Sequence, residues 1–139
     1  MKNKNGFTLI ELLGVIALLG VVALIAVPSV IGVKNAINNK MLNTKIEVIE
    51  AAAVQYGEQF KPTLTSSEKK YDGNKCINRD INDLVTNKFL DKDIEGCSLN
   101  ECIVNPVDDS FLDQKKVIIF IKNNRIQAKV DMDNDLTCS

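Results

Sequence analysis

The chain has 139 residues and a formal net charge of −1, from 17 basic and 18 acidic side chains, and it contains no histidine. This length allows one small domain beside any membrane segment, and no block of Lys or Arg indicates a specific nucleic-acid surface. Without histidine there is no Ser/His or Cys/His pair, and there is no glycine-rich phosphate loop. The sequence therefore gives no basis for an enzyme, and we predict no metal and no cofactor.

The first feature along the chain is a short basic leader, MKNKNG, followed by an apolar run from Phe7 to Val33. A helix of about 20 apolar residues crosses a bilayer core, so this run is long enough to span one. It contains a single carboxylate, Glu11, and a charge at mid-bilayer costs about 2.5–3.5 kcal/mol on insertion scales. We therefore expect Glu11 to have a function. Gly14 and Gly20 weaken the helix, and Pro28 is predicted to kink it or to break it locally.

The residues Gly6-Phe7-Thr8-Leu9-Ile10-Glu11 stand between the basic leader and the apolar run. This arrangement resembles the N-terminus of type IV prepilins, specifically over residues 1–33 and only generally over the rest. The resemblance implies that a membrane prepilin peptidase cuts between Gly6 and Phe7 on the cytoplasmic side. It also implies that Phe7 is then N-methylated.

The same resemblance implies a role for Glu11, which would pair with the N-terminal amine of a neighbouring subunit and set the axial register of a filament. The physics agrees, because residues four apart lie on one face of a helix, which places Glu11 one turn from the new amine of Phe7. In this family the segment between the second glycine, Gly20, and the proline, Pro28, can lose helicity on assembly. These residues would then be points of helix flexibility.

The function implied by the resemblance is that of a structural subunit of a type IV pilus. The chain would be held in the cytoplasmic membrane with its N-terminus inside and then polymerised into an extracellular homopolymeric filament on the cell surface. The implied partners are the prepilin peptidase, an assembly platform with its motor ATPase, and minor pilins. Two alternatives stay open: a pseudopilin of a DNA-uptake or type II secretion system, and a membrane-anchored binding module that does not polymerise.

The domain organisation follows from these features. We predict a cleaved leader at residues 1–6, a transmembrane or filament-core helix at 7–33, and a second helix half with a globular headpiece at 34–139. From residue 34 the composition becomes amphipathic without any loop signal. Apolar side chains recur three and four positions apart, as on one face of a helix: Leu42, Ile46, Ile49, Ala53, Tyr56 and Phe60. The helix is predicted to end between Gly57 and Pro62.

Residues 61–75 are polar and rich in turn residues, so we predict an exposed connector there. Asp80 is predicted to cap a short helix that continues through Leu90. Farther along, Asp108 and Asp109 follow a proline and are interpreted as a turn. Three aspartates near the end of the chain begin like a calcium loop but lack its glycine and its terminal glutamate, so a solvated acidic tail is favoured: Asp131, Asp133 and Asp135.

All four cysteines follow the apolar run. An even number of cysteines in a small domain beyond a membrane segment predicts two disulfides in an oxidising compartment. Four thiolates on zinc are the alternative, although the paired C-x-x-C spacing of common zinc sites is missing. Among three possible connectivities, our guess is Cys76–Cys97, which closes the short helix, and Cys102–Cys138, which ties the chain end to the domain.

The clearest strand pattern is the hairpin at residues 117–130, where VIIFI and IQAKV flank a tight Asn-Asn loop. The first strand is apolar on both faces and is predicted to be central or covered by a helix, whereas the second alternates and has one solvated face. Residues 102–104 are a further candidate strand before the Asn105-Pro106 turn. The predicted fold class is α+β, with a long kinked N-terminal helix whose C-terminal half packs on a small antiparallel β-sheet headpiece.

Overall fold

The computed structural model describes residues 8–139, and for residues 26–31 it describes the backbone alone. Gly6 and Phe7, the predicted processing residues, lie outside the described residues, as does the side chain of Pro28. The chain divides into two compact units, Met1–Asn38 and Asn39–Ser139.

A long helix, α1 (Leu9–Gln59), begins in the first unit and ends in the second. In the first unit it is continuous through Gly14, Gly20 and Pro28, so the local break predicted at Pro28 is wrong. Proline fixes φ near the helical value and removes only one backbone donor, and helix-forming residues precede it. The kink stays a prediction. Within the described part of the chain, no helix combines the length and the apolar character that crossing a bilayer requires.

The second unit has the α+β architecture that the sequence predicts. After α1, the helices are α2 (Lys61–Ser66) and α3 (Ile81–Thr86). The strands are β1 (Lys70–Tyr71), β2 (Asn74–Asp80), β3 (Lys116–Lys122) and β4 (Arg125–Asp131). They form one sheet in the order β1-β2-β3-β4, and all neighbouring strands are antiparallel.

The apolar face of α1 packs over one side of this sheet. Ile49, Ala53 and Tyr56 of the helix are buried in one cluster with Val117 and Ile119 of β3. The approach is closest at Gly57, where a methyl group added to the backbone would stand 2.7 Å from Ile119 Cγ2 and 2.8 Å from Ile126 Cγ2. A side chain at position 57 would therefore push the helix away from the sheet.

The interior strand β3 is buried on both faces, as predicted. Ile118 and Phe120 point away from α1 into a second cluster, which contains Cys76 and Cys138 and is lined by Tyr71. The solvated face of β4 is also confirmed, because its buried residues alternate with exposed Arg125, Gln127 and Lys129. The Asn-Asn loop between these strands has positive φ values, 52° at Asn123 and 61° at Asn124, which fits a tight hairpin turn.

The connector predicted at residues 61–75 is largely exposed, as expected, but it forms regular secondary structure. Its first part is α2, which has a proline in its first turn and buries Leu64 completely. Its second part is a β1–β2 hairpin that turns at Asp72 and Gly73, both with positive φ. Proline is common in the first turn of a helix, and Asp-Gly is common in a tight hairpin turn. The polar composition of the segment does not distinguish these elements from a loop.

The other short elements also differ from the prediction. α3 ends at Thr86, before Leu90, and Lys88 then adopts a φ of 62°, which a helix cannot continue. Asp80 occupies the N-cap position of α3 but makes no side-chain cap hydrogen bond. The strand predicted at 102–104 is reduced to one isolated bridge, between Val104 and Phe111. The backbone N–H groups of Cys102 and Ile103 donate to the carboxylate of Asp113 and not to a neighbouring strand.

The two disulfides are present, but the guessed pairing is wrong. The bonds are Cys76–Cys138 and Cys97–Cys102, not Cys76–Cys97 and Cys102–Cys138. Side chains alternate between the two faces of a strand, and Cys76 lies in the cluster on the sheet face opposite α3. Cys76 therefore cannot fasten α3 to the segment that follows it.

The aspartates near the chain end are only partly a solvated tail. Asp133 and Asp135 are exposed, whereas Asp131 is 2% exposed, and its Oδ1 accepts the backbone N–H groups of Asp135 (3.0 Å) and Leu136 (3.4 Å). Asp131 thus organises the turn that leads to Cys138. The turn predicted around Asp108 is confirmed, because residues 106–108 form a turn.

Candidate functional site

The first turn of α1 is built on a reciprocal pair of polar side chains. Glu11 Oε2 accepts the backbone N–H of Thr8 at 2.9 Å and the Thr8 hydroxyl at 2.8 Å. In return, Thr8 Oγ1 accepts the backbone N–H of Glu11 at 3.4 Å. This is a capping box, in which an N-cap Thr and a Glu three positions later satisfy each other's backbone donors.

The capping box gives Glu11 a local partner within the single chain. A carboxylate at the N-terminus of a helix is also favoured by the partial positive charge of the helix dipole. Both bonds from Thr8 use the same carboxylate oxygen, so Oε1 retains its capacity to accept from a further donor. The chemistry available here is acceptance of a cation or a hydrogen bond at the end of an apolar helix.

The helix behind Glu11 presents apolar side chains on every side. The large apolar residues from Leu9 to Ile25 are 48% to 82% exposed. A helix that is apolar all round is stable only when lipid or protein covers it. Apart from the adjacent residues and the backbone of α1 itself, no heavy atom of the described residues lies within 4 Å of a methyl group placed on Gly14 or on Gly20, so the helix surface is open at these positions.

Polar contacts in the second unit hold the helix to the headpiece, and sequence reasoning missed them. Lys45 forms an ion pair with Asp93 and donates to the Val104 carbonyl at 2.7 Å. The Glu50 carboxylate accepts the backbone N–H of Val130 at 3.1 Å. These partners are distant along the chain, and no sequence pattern links them.

A buried carboxylate organises the loop between α3 and β3. Asp113 is fully buried, and its two oxygens accept the backbone N–H of Cys102 at 3.2 Å and 3.1 Å. Its Oδ2 also accepts the N–H of Ile103 at 2.9 Å. The backbone donors beside the Cys97–Cys102 disulfide are thereby satisfied inside the protein, where an unpaired donor would be costly.

Comparison with known proteins bears on the N-terminal site. Residues 1–27 match the family model described as the prokaryotic N-terminal methylation motif. The matched range contains the basic leader and the stretch from Gly6 to Glu11. No curated protein and no solved structure matches the chain.

The motif match confirms the resemblance that the residues around Glu11 indicated. It supports a protein of the type IV pilin or pseudopilin kind. A motif of this kind implies processing by a prepilin peptidase and insertion into a membrane. The match ends at residue 27 and does not include the headpiece.

Proposed function

We propose that the chain is a structural subunit of a type IV pilus. It is cleaved between Gly6 and Phe7, N-methylated at Phe7 and polymerised through its N-terminal helix into an extracellular filament. One observation carries this proposal: a helix whose apolar side chains are exposed over residues 9–25 has a single carboxylate in its first turn, within the matched methylation motif. In the membrane, lipid covers the exposed apolar side chains. In the filament, other copies of the same helix cover them.

Glu11 selects the assembled state over the membrane-inserted one. After cleavage the amine of Phe7 is a cation, and in the filament the carboxylate of Glu11 accepts it from a neighbouring subunit. A buried charge without a partner is strongly unfavourable, whereas a paired one is tolerated. The charge therefore fixes the axial position of each new subunit, while the apolar side chains supply most of the attraction.

Thr8 supports this function by orienting the carboxylate. The capping box holds Oε2 of Glu11 and leaves Oε1 available for the amine. The Gly20–Pro28 segment is helical in the single chain, and we propose that it loses helicity on assembly. The proposed partners are the prepilin peptidase, an assembly platform with its motor ATPase, and minor pilins.

A pseudopilin is the second candidate, because the motif match does not distinguish a pseudopilin from a pilin. The match covers only the N-terminal residues, which pseudopilins share. A pseudopilin would form a short envelope-bound fibre, whereas a pilin forms long surface filaments. Electron microscopy of cells labelled on the headpiece separates the two.

Replacement of Glu11 tests the assembly role directly. Glu11→Gln keeps the length of the side chain and an oxygen that can accept from Thr8, but it removes the charge. We expect the variant to be cleaved and methylated normally and to be absent from filaments. Glu47→Gln is the matched control, because it makes the same change at an exposed glutamate farther along α1 and should still assemble. Normal filaments from Glu11→Gln would contradict the register role.

A further inference from the structure

One edge of β2 is open beside the segment that follows α2. The N–H of Cys76 donates across this edge to the carbonyl of Lys69 at 3.1 Å, and the hydroxyl of Ser67 donates to the carbonyl of Cys76 at 2.7 Å. Because every second residue of an antiparallel strand turns its N–H and C=O to the same side, those of Asn78 point to this edge as well. No group in the described part of the chain accepts from the N–H of Asn78. Asn78 therefore offers a backbone donor to a ligand.

Arg79 places a cation beside this donor. Its Nη1 donates to the carbonyl of Asn78 at 2.9 Å, and its Nε donates to the hydroxyl of Tyr56, a buried side chain, at 3.0 Å. A guanidinium has five N–H donors, so these two bonds leave three without an acceptor among the described residues. The ion pairs of the same residues do not include Arg79. Arg79 is thus a part-buried cation that is held in position and has no anionic partner in the described structure.

A groove with a volume of about 570 Å³ lies at this edge. Asn78 and Arg79 line it from β2, and exposed residues of α2 and of the segment after it line it too: Thr63, Ser66, Glu68 and Lys69. The charged side chains of the lining are two cations, Lys69 and Arg79, and one carboxylate, Glu68. Neither Glu68 nor Lys69 forms an ion pair within the described part of the chain. The groove therefore favours an anion, and its hydroxyl groups suit a polar ligand.

The end of a peptide chain fits this edge better than a continuous strand does. A strand that is added to a sheet edge uses both the N–H and the C=O of the edge residue. Here the carbonyl of Asn78 already accepts from Arg79, so only its N–H remains. A carboxylate needs donors alone, and it can accept from this N–H and from the guanidinium together. Hydrogen bonds between a guanidinium and a carboxylate are also among the strongest in proteins.

We propose that this groove binds the C-terminal carboxylate of an extended peptide from another protein. The carboxylate accepts from the N–H of Asn78 and from the guanidinium of Arg79, and the residues before it lie along the exposed side of α2. Glu68 repels the carboxylate and weakens the binding. All the residues of this site belong to the second unit, and the inference does not depend on the proposed function.

An NMR titration of the full chain in detergent micelles tests the site. The probes are acetyl-trialanine with a free carboxylate and the same peptide with a C-terminal amide, which differ only in the terminal charge. We expect the acid to shift the backbone amide signals of Asn78, Arg79 and residues 63–69. The amide should bind about tenfold more weakly, because it cannot form charge-assisted hydrogen bonds with the guanidinium. Equal shifts from both peptides, or no shift from either, would overturn the proposal.

Replacement of Arg79 tests the guanidinium. Arg79→Lys keeps the charge but loses the forked donor geometry, so we expect the acid peptide to bind about tenfold more weakly. Arg125→Lys is the matched control, because it makes the same change at an exposed arginine of β4, and binding should stay at the wild-type level. Wild-type binding by Arg79→Lys would contradict the role of the guanidinium.

A change at Glu68 separates binding from a purely structural role of Arg79. Arg79 also bonds Tyr56, so a loss of binding in Arg79→Lys can result from a damaged fold. Glu68→Gln removes a repelling charge from an exposed side chain and should tighten the binding of the acid peptide by about twofold to fivefold. A damaged fold cannot produce this gain. Unchanged or weaker binding by Glu68→Gln would contradict the proposed position of the carboxylate.

Two other anions test the assignment to a peptide. Glucuronate offers a carboxylate on a sugar, and inorganic phosphate offers an anion without a backbone. In the same titration we expect both to bind more weakly than the acid peptide, because neither can lie along the edge of β2 as an extended chain. Equal or tighter binding of either anion would overturn the peptide assignment.

Discussion

Thr8 and Glu11 are joined by hydrogen bonds across the first turn of α1. The carboxylate of Glu11 accepts from both the backbone N–H and the hydroxyl of Thr8. The carboxylate that the proposed function assigns to filament register is therefore not free in the single chain. It already has a local partner, and the incoming amine has to share the carboxylate with Thr8. Thr8 is accordingly a positioning residue for the assembly site.

The capping box is expected to stabilise the start of α1. Thr8→Val removes the hydroxyl, which is expected to cost the helix end about 0.5–2 kcal/mol. Amide hydrogen exchange of the purified full chain in detergent should then be faster at residues 9–12 than in the wild type. Thr8→Ser keeps the hydroxyl and should show wild-type exchange. Equal exchange in all three proteins would show that the pair does not stabilise the helix start.

Gly57 is predicted to be the least tolerant position on the headpiece part of α1. In Gly57→Ala the new methyl group meets the Cγ2 atoms of Ile119 and Ile126, which are attached to branched Cβ atoms and cannot swing aside. Overpacking of this kind costs about 1–3 kcal/mol, which urea unfolding of the headpiece should show. Gly32→Ala is the control, because nothing lies within 4 Å of the added methyl group. A headpiece as stable as the wild type would contradict the close packing.

The two disulfides should contribute unequally to stability. Cys76–Cys138 joins residues 62 apart in sequence and Cys97–Cys102 joins residues 5 apart. In the chain-entropy model the longer loop contributes about 4 kcal/mol and the shorter one about 2 kcal/mol. Replacement of each pair by serines, followed by urea unfolding, measures the difference. Non-reducing peptide mapping of the wild type should show these two pairs, and any other pairing would contradict the structure.

Asp113 should be needed for the loop between α3 and β3. In Asp113→Asn the remaining oxygen can still accept from the N–H groups of Cys102 and Ile103, but the other oxygen becomes a buried NH₂ donor that faces the N–H of Cys102, which cannot accept from it. A buried unsatisfied donor costs about 1–3 kcal/mol, so we expect a lower unfolding free energy of that size. Asp133→Asn changes an exposed aspartate and should have no effect. Equal stability of the two variants would contradict the role of Asp113.

A pH effect is expected at the turn around Asp108. The hydroxyl of Ser110 (2.6 Å) and its backbone N–H (3.1 Å) donate to Asp108 Oδ1 and lower the pKa of this carboxyl below its usual range. A lowered pKa stabilises the fold above the unfolded-state pKa of about 3.9, and this contribution is lost as the pH falls through the folded-state pKa. An NMR titration should show a higher pKa of Asp108 in Ser110→Ala. An unchanged value would contradict the assignment.

The elements with a regular sequence pattern were predictable. The helical repeat from Leu42 to Phe60 and the hairpin around Asn123 and Asn124 depend on local periodicity and turn chemistry, and both are present. The capping box also has a local signature, Thr8-Leu9-Ile10-Glu11, because a Thr followed three residues later by a Glu is typical of a helix start. Local sequence periodicity and turn residues thus predict most of the fold class.

The features that depend on long-range register were not predictable. The partner of Cys76 is decided by the sheet face on which it lies, and that face is set by its pairing with Phe120 on β3. Similarly, Lys45 and Asp93 are 48 residues apart and meet only because the loop folds back on α1. Neither contact has a local sequence signature.

The intact mass of the chain in sheared surface filaments tests the central claim most directly. Filaments are removed from the cells, purified and dissociated, and the mass of the subunit is measured under non-reducing conditions. The account predicts a chain that begins at Phe7, lacks residues 1–6 and carries one added methyl group. A chain that still begins at Met1 and stays in the membrane fraction, with none in the filaments, would contradict it.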